Sequence, residues 1–146
     1  MDYLTIANSP IMWVACVPAV LLVLVQAAMF TKKAMKDGKR MGITDEQFKT
    51  AISASFTASI GPSIVILIGM VSLLASVGGP LAWMRLAYIG SVTFELGAAD
   101  KAATAAGARL GTDSMTAEVF ACCAWVMVIC CLGWIIISAL FTDKMG

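Results

Sequence analysis

The chain has 146 residues, 60% of them hydrophobic and 13% charged, with a formal net charge of +1 and a mean hydropathy of +0.91. A soluble domain carries about a quarter charged residues to wet its surface, so this composition excludes an ordinary water-soluble fold. The near-neutral charge excludes a basic nucleic-acid-binding surface, and the absence of histidine removes the commonest general base and metal ligand.

The apolar residues arrive in long blocks. The first, residues 11–30, has Gln26 as its only strongly polar residue. Roughly twenty residues at ~1.5 Å each cover the ~30 Å hydrocarbon core of a bilayer. Asn8 and Ser9 are placed to cap this helix, Pro10 suits its first turn, and Pro18 is expected to kink it. A cleaved leader wants positive charge before its apolar core; here Asp2 precedes the block and lysines follow it. The block therefore reads as a retained span with its N-terminus outside.

Residues 31–44 form a basic linker with Lys32, Lys33, Lys36, Lys39 and Arg40 against Asp37. The positive-inside bias assigns it to the cytoplasm, where anionic lipid head groups or a docking partner are its candidate contacts. Thr44-Asp45-Glu46-Gln47 has the form of a capping box and starts the next helix. Gly61-Pro62 is expected to interrupt that helix, and the second span, residues 56–77, runs through the resulting kink. Ser55, Ser59 and Ser63 repeat at i, i+4 and i+8, with Gly69, Ser72 and Ser76 on the same half of the helix. Such a face lets another helix approach closely, or lines a conduit with hydroxyls. Gly78-Gly79-Pro80 ends the span.

The third block, residues 81–98, contains Arg85 and Glu95, and the stretch 99–115 is expected as a surface helix or loop. The last block, residues 117–141, is a span containing Trp125 and Trp134; Trp13 and Trp125 lie near span starts, as an interfacial belt requires. The first span ends Ala28-Met29-Phe30-Thr31-Lys32-Lys33 and the last ends Ala139-Leu140-Phe141-Thr142-Asp143-Lys144. This echo puts both ends on the cytoplasmic side, so a single crossing fits between them and the second block supplies it. The third block then enters and leaves on the outer face, as a re-entrant hairpin with its apex near Gly90-Ser91 or as an interfacial segment. The expected fold is thus an all-α integral membrane protein, a single membrane domain with three transmembrane helices plus a re-entrant or interfacial helical segment; four transmembrane helices are the alternative.

Arg85 and Glu95 flank that apex symmetrically and are the leading site candidates, because ionisable groups at membrane depth are costly unless paired. Three roles stay open for them: lining or gating a translocation pathway, fixing the hairpin as a buried pair, or snorkelling separately to the membrane interface. Gly61, Pro62, Ser63, Gly78, Gly79 and Pro80 are candidates as helix-break positions, since irregular backbone at membrane depth must be buried or line a cavity. Gln26 is a candidate polar contact or interhelical hydrogen bond. Cys16, Cys122, Cys123, Cys130 and Cys131 all lie in apolar runs and read as small hydrophobes. Adjacent helical residues point ~100° apart, so one helix cannot wrap four thiolates around an ion; no metal and no cofactor are expected. Without a set of nucleophile, base and orienting group, no enzyme is expected either.

The opening Met1-Asp2-Tyr3-Leu4-Thr5-Ile6-Ala7-Asn8-Ser9-Pro10, the stretch Ser59-Ile60-Gly61-Pro62-Ser63, and Gly78-Gly79-Pro80-Leu81-Ala82-Trp83-Met84-Arg85 resemble a family of small bacterial inner-membrane proteins catalogued as a domain of unknown function. The resemblance spans the chain and implies a bacterial inner-membrane location. It also implies longer relatives with further hydrophobic segments after the position of Lys144, of which this chain is the N-terminal part or a short form. It hints at genomic neighbours, a second membrane protein and amidohydrolase-type enzymes, that fit uptake of a small amide or peptide-like compound. It assigns no catalytic or binding residue.

The expected function is a subunit of a small-solute transporter or permease, working in the lipid bilayer as a homo-oligomer or with a second membrane subunit. The alternative is a non-transporting structural or assembly subunit; an ion-conducting motor subunit fits less well, for want of an acid on a long straight span. Cysteines introduced singly across residues 81–116 test the topology. Labelling of both ends from outside is expected for the hairpin; labelling on opposite sides replaces it with a fourth span.

Overall fold

The computed structural model describes residues 3–142, and among these it is helical with no strand. Met1 and Asp2, and Asp143 and Lys144 of the terminal echo, lie outside them. The helices are α1 (Tyr3–Ala7), α2 (Pro10–Arg40), α3 (Asp45–Val77), α4 (Gly79–Tyr88), α5 (Val92–Ala105) and α6 (Ala117–Phe141). α2, α3 and α6 are long and apolar enough to cross a membrane, and their most apolar stretches are only 11%, 11% and 22% buried within the chain. Apolar side chains left outward on three long helices are compatible with a multi-pass membrane protein, because lipid is the solvent that tolerates them.

Local chemistry sets the helix ends. Ser9 precedes α2 in an extended conformation with Pro10 in the first turn. α2 then runs through Pro18 and on to Arg40, so most of the basic stretch expected as a linker is helix and only residues 41–44 connect. Lysine, alanine, methionine and arginine are good helix formers, and positive charge near a helix C-terminus suits its dipole. Gly38 makes the elbow possible: a Cβ there would lie 2.6 Å from Cζ of Phe48. α3 opens on the expected capping box, with Thr44 Oγ1 accepting from Gln47 N–H (3.3 Å) and Gln47 Oε1 accepting from Thr44 N–H (2.9 Å).

α3 continues unbroken through Gly61 and Pro62, so these positions and Ser63 are not a helix break. A proline removes one bond from the ladder, and the turns on either side hold the helix; membrane helices tolerate this. The real break is at Gly78, whose φ of +83° favours glycine and whose Cβ would lie 2.8 Å from Cβ of Ala7. Asn8 does not cap its own helix: its Oδ1 accepts from the backbone N–H of Gly79 at 2.8 Å, capping α4 from across the bundle. α5 extends beyond residue 98, and Ala99, Ala102 and Ala103 are buried where a surface helix or loop was expected, as is Ala98 before them. Their small side chains let α5 lie close against α6.

α2 and α3 run antiparallel, since the start of α2 meets the end of α3 at Asn8 and Gly79, and the end of α2 meets the start of α3 at Gly38 and Phe48. α6 starts at the same end of the bundle as α2, where the rings of Tyr3 and Phe120 lie 6.2 Å apart. The hairpin α4–α5 wedges between the long helices: α4 packs on α2 and α3, α5 on α3 and α6. Trp13 and Trp83 meet edge to face at 5.9 Å and tie α4 to α2. Both ends of the hairpin lie at the end of the bundle where α2 begins. Its tip turns at Gly90 (φ +68°), and Ser91 caps α5 through Phe94 N–H. Beside the tip, a Cβ on Gly69 would lie 2.7 Å from Cγ1 of Val92. Gly69 is about 12 Å along α3 from Val77 at the helical rise. α4 itself, with 10 residues, is ~15 Å long and too short to cross. The tip therefore stands at mid-depth of the long helices.

The core occupies the half of the bundle that holds the hairpin. Buried positions of α3 and α6 are Leu73 and Val77, and Phe120, Cys123, Met127 and Cys131. The other half is open, and the accessible surface of 10105 Å² exceeds the ~7,100 Å² of a compact globule of this mass. Gly69→Ala should lower stability by about 1–3 kcal/mol, the usual cost of overpacking. Thermal melting in detergent checks this: Val92→Ala should relieve the loss, and Gly97→Ala, in open space, should show none.

Candidate functional site

Arg85 sits on α4 and Glu95 on the first turn of α5, and the turn at Gly90 brings them together. Nε of Arg85 donates to Oε2 of Glu95 at 3.0 Å and Nη2 donates to Oε1 at 2.9 Å, a side-on two-point pair. Nη2 also donates to the backbone carbonyl of Met127 at 2.6 Å and approaches Sγ of Cys131 at 3.5 Å. Arg85 is 5% exposed and Glu95 fully buried. The pair thus joins the two arms of the hairpin to each other and to the middle of α6. Glu95 also lies in the first turn of its helix, where the dipole favours a carboxylate.

A cavity of about 330 Å³ opens beside this pair, lined by Ile89, Ser91, Phe94, Cys130, Cys131 and Trp134. Cys131 belongs to both the cavity wall and the surroundings of the guanidinium. Cys130 and Trp134 stand roughly 20 and 26 Å along α6 from its start, so the cavity lies at membrane depth. Its size falls at the lower end of the range of small-molecule sites, and its walls are aromatic and aliphatic with few polar groups, as such sites usually are. Larger hollows lie on the open half, along α3 over Glu46, Lys49, Ser53 and Thr57 and between Met35 of α2 and Phe48 and Ile52 of α3.

The remaining candidates are scattered. Gly78, Gly79 and Pro80 form the base of the hairpin, where Ala7 and Asn8 pack on them. Gly61, Pro62 and Ser63 are exposed positions on a continuous helix, away from the pair. Ser55 and Ser59 are exposed, and Ser59 Oγ donates to the Ser55 carbonyl on its own helix at 2.8 Å. Ser72 is exposed, whereas Gly69 and Ser76 are partly buried; the Ser76 carbonyl accepts from the Tyr3 hydroxyl at 3.2 Å. Gln26 is exposed and makes no hydrogen bond among the described residues. The sequence did not single out Ile89, Phe94, Cys131, Trp134 or the Met127 carbonyl as parts of one site. Ser91 and Glu95 carry a readable cue, a capping hydroxyl followed by an acid in the first turn. The stripe Phe120, Cys123, Met127, Cys131 carries none, because α6 is apolar all round.

Fold and site together define an all-helical protein whose three membrane-length helices surround a half-depth hairpin closed by a buried ion pair. The family model described as Domain of unknown function (DUF5058) matches residues 8–146, and the chain belongs to that family. No curated protein and no solved structure matches the chain.

Removing one partner of a buried pair strands the other charge, at a cost of about 3–5 kcal/mol, whereas replacing both with apolar groups is far milder. Arg85→Met and Glu95→Ala should each lower the melting temperature in detergent sharply, and the double variant Arg85→Met/Glu95→Met should melt closer to wild type than either. Equal or additive losses would show that the pair is not coupled.

Proposed function

We propose that the chain is a subunit of a small-solute transporter or permease and carries out no covalent chemistry. One observation carries this reading: a hairpin that stops at mid-depth and presents, at its tip, a cavity beside a buried ion pair. A backbone turn at membrane depth is tolerated where it lines a cavity, and secondary transporters hold solutes at such interrupted helices near the midplane. The basic stretch at the end of α2 supports an orientation with the N-terminus outside, and the predicted home is a bacterial inner membrane. Three helices and one hairpin enclose little volume, and the open half of the bundle leaves α2, α3 and α6 unpaired there. Both features favour work as a homo-oligomer or beside a second membrane subunit.

The second reading, a non-transporting assembly subunit, draws on the completeness of the pair: every fully buried side-chain nitrogen or oxygen among the described residues has a partner. The two readings separate in cells screened with a panel of labelled small solutes. Transport predicts a solute whose uptake rises with the wild-type chain and falls about tenfold or more, a barrier change of ~1.4 kcal/mol, with Phe94→Ala or Glu95→Gln at equal membrane abundance. Uptake that is indifferent to all these residues, with complex assembly lost on substitution of Ser55 and Ser59, assigns the scaffold role.

A further inference from the structure

Five basic side chains stand on the last stretch of α2: Lys32, Lys33, Lys36, Lys39 and Arg40. At ~100° per residue they share roughly one third of the helix circumference. Cys16, Val20 and Gly38, the buried residues of α2, fall on the opposite side. The basic face therefore points away from the rest of the bundle. Lys39 pairs with Asp45 at 2.8 Å and Arg40 with Asp37 at 3.7 Å. Lys32, Lys33 and Lys36 are exposed and enter no ion pair among the described residues, so their positive charges stay uncompensated on this face.

Toward the middle of the helix the same face becomes an apolar groove of about 630 Å³. Leu22, Val25 and Met29 line it, and Lys32 and Lys33 stand at its end. Gln26 lies in it too, exposed and without a hydrogen bond among the described residues. The ~20 residues of α2 that fill a hydrocarbon core end near Phe30. Lys32 and Lys33 thus stand within ~5 Å of the core's edge, and the backbone of Gln26 lies ~6 Å inside it. An amide at that depth is costly without a partner, and its side chain is long enough to meet an oxygen acceptor at the edge.

Apolar wall, hydrogen-bond donor and cations, set out along one membrane-length helix, match a single molecule. The acyl chain of a phospholipid is apolar, its ester carbonyls accept hydrogen bonds at the edge of the core, and its phosphate follows. A zwitterionic headgroup brings a cation of its own beside the three lysines, so an anionic headgroup is favoured. An acidic protein segment would answer to the lysines alone and leave the groove and Gln26 unmatched.

We propose that this face of α2 is a binding site for an anionic phospholipid. One acyl chain lies along Leu22, Val25 and Met29, and Gln26 donates to an ester carbonyl. The phosphate accepts from Lys32, Lys33 and Lys36. The site lies on the side of α2 away from the hairpin, so the inference stands independently of the transport reading.

The purified chain in mild detergent is mixed with dioleoylphosphatidylglycerol or dioleoylphosphatidylcholine, and retained lipid is counted by native mass spectrometry across a concentration series. The phosphatidylglycerol should bind about tenfold tighter, a difference of ~1.4 kcal/mol. Lys32→Gln/Lys33→Gln/Lys36→Gln should lose that preference. Lys49→Gln/Lys101→Gln/Arg109→Gln removes the same charge from exposed positions elsewhere and should keep it. Gln26→Leu leaves every lysine in place and should weaken both lipids.

Equal binding of the two lipids by the wild-type chain overturns the anionic assignment and leaves the lysines to an acidic protein partner. Equal loss of preference in both triple variants traces it to net charge and overturns the site. A preference that survives the α2 triple variant places the lipid on another face and does the same. Unchanged binding in Gln26→Leu overturns the seating of the lipid in the groove.

Discussion

The hairpin holds its place through the bond between Arg85 and Glu95, and much of the rest of the bundle is arranged around it. In water, the arms of an apolar hairpin are driven together by burial. Among lipid tails that force vanishes between helices, and packing and polar bonds decide which helices meet. A guanidinium and a carboxylate in such surroundings each carry a large desolvation cost, and each recovers it only from the other. The Met127 carbonyl then extends the bond to the middle of α6, so one arginine ties three helices together. The pocket lined by Ile89, Ser91, Phe94, Cys130, Cys131 and Trp134 adjoins this tie at Cys131.

Around the base of the hairpin, short polar bonds and close contacts repeat the same logic. The Tyr3 hydroxyl reaches the end of α3, Asn8 caps α4, and Gly78 admits the backbone of Ala7. Gly111, in the connection after α5, lies against Ser76. This end is closed by backbone-level contacts that leave no room for larger side chains. At the opposite end the elbow of Gly38 and Phe48 and an exposed ion pair between Lys39 and Asp45 (2.8 Å) join α2 to α3, and the apolar side chains between face outward. One end is therefore closely packed, and the other exposes its apolar side chains.

Membership of a family described only as a domain of unknown function leaves the chemistry of the site to carry the functional reading. That chemistry is narrow. Among the described residues no group of three or more potential ligands gathers for a metal, while the cavity wall is aromatic, aliphatic and thiol.

Composition and block length alone determined that the chain is helical and made for lipid, and where three membrane-length helices lie, because bilayer thickness imposes one length on every span. The even spacing of Arg85 and Glu95 about Gly90-Ser91 made their pairing one of the readings open, since a tight helical turn brings equidistant positions face to face, and the structure decided for it. Only the tertiary structure decided that α3 passes through Gly61-Pro62 unbroken, that Asn8 caps a helix 71 residues away, and that Phe94, Cys131 and Trp134 share a cavity. Uniformly apolar helices carry no face in their sequence: lipid accepts every side, so which side meets a neighbour is settled by contacts between distant segments and by no periodic pattern.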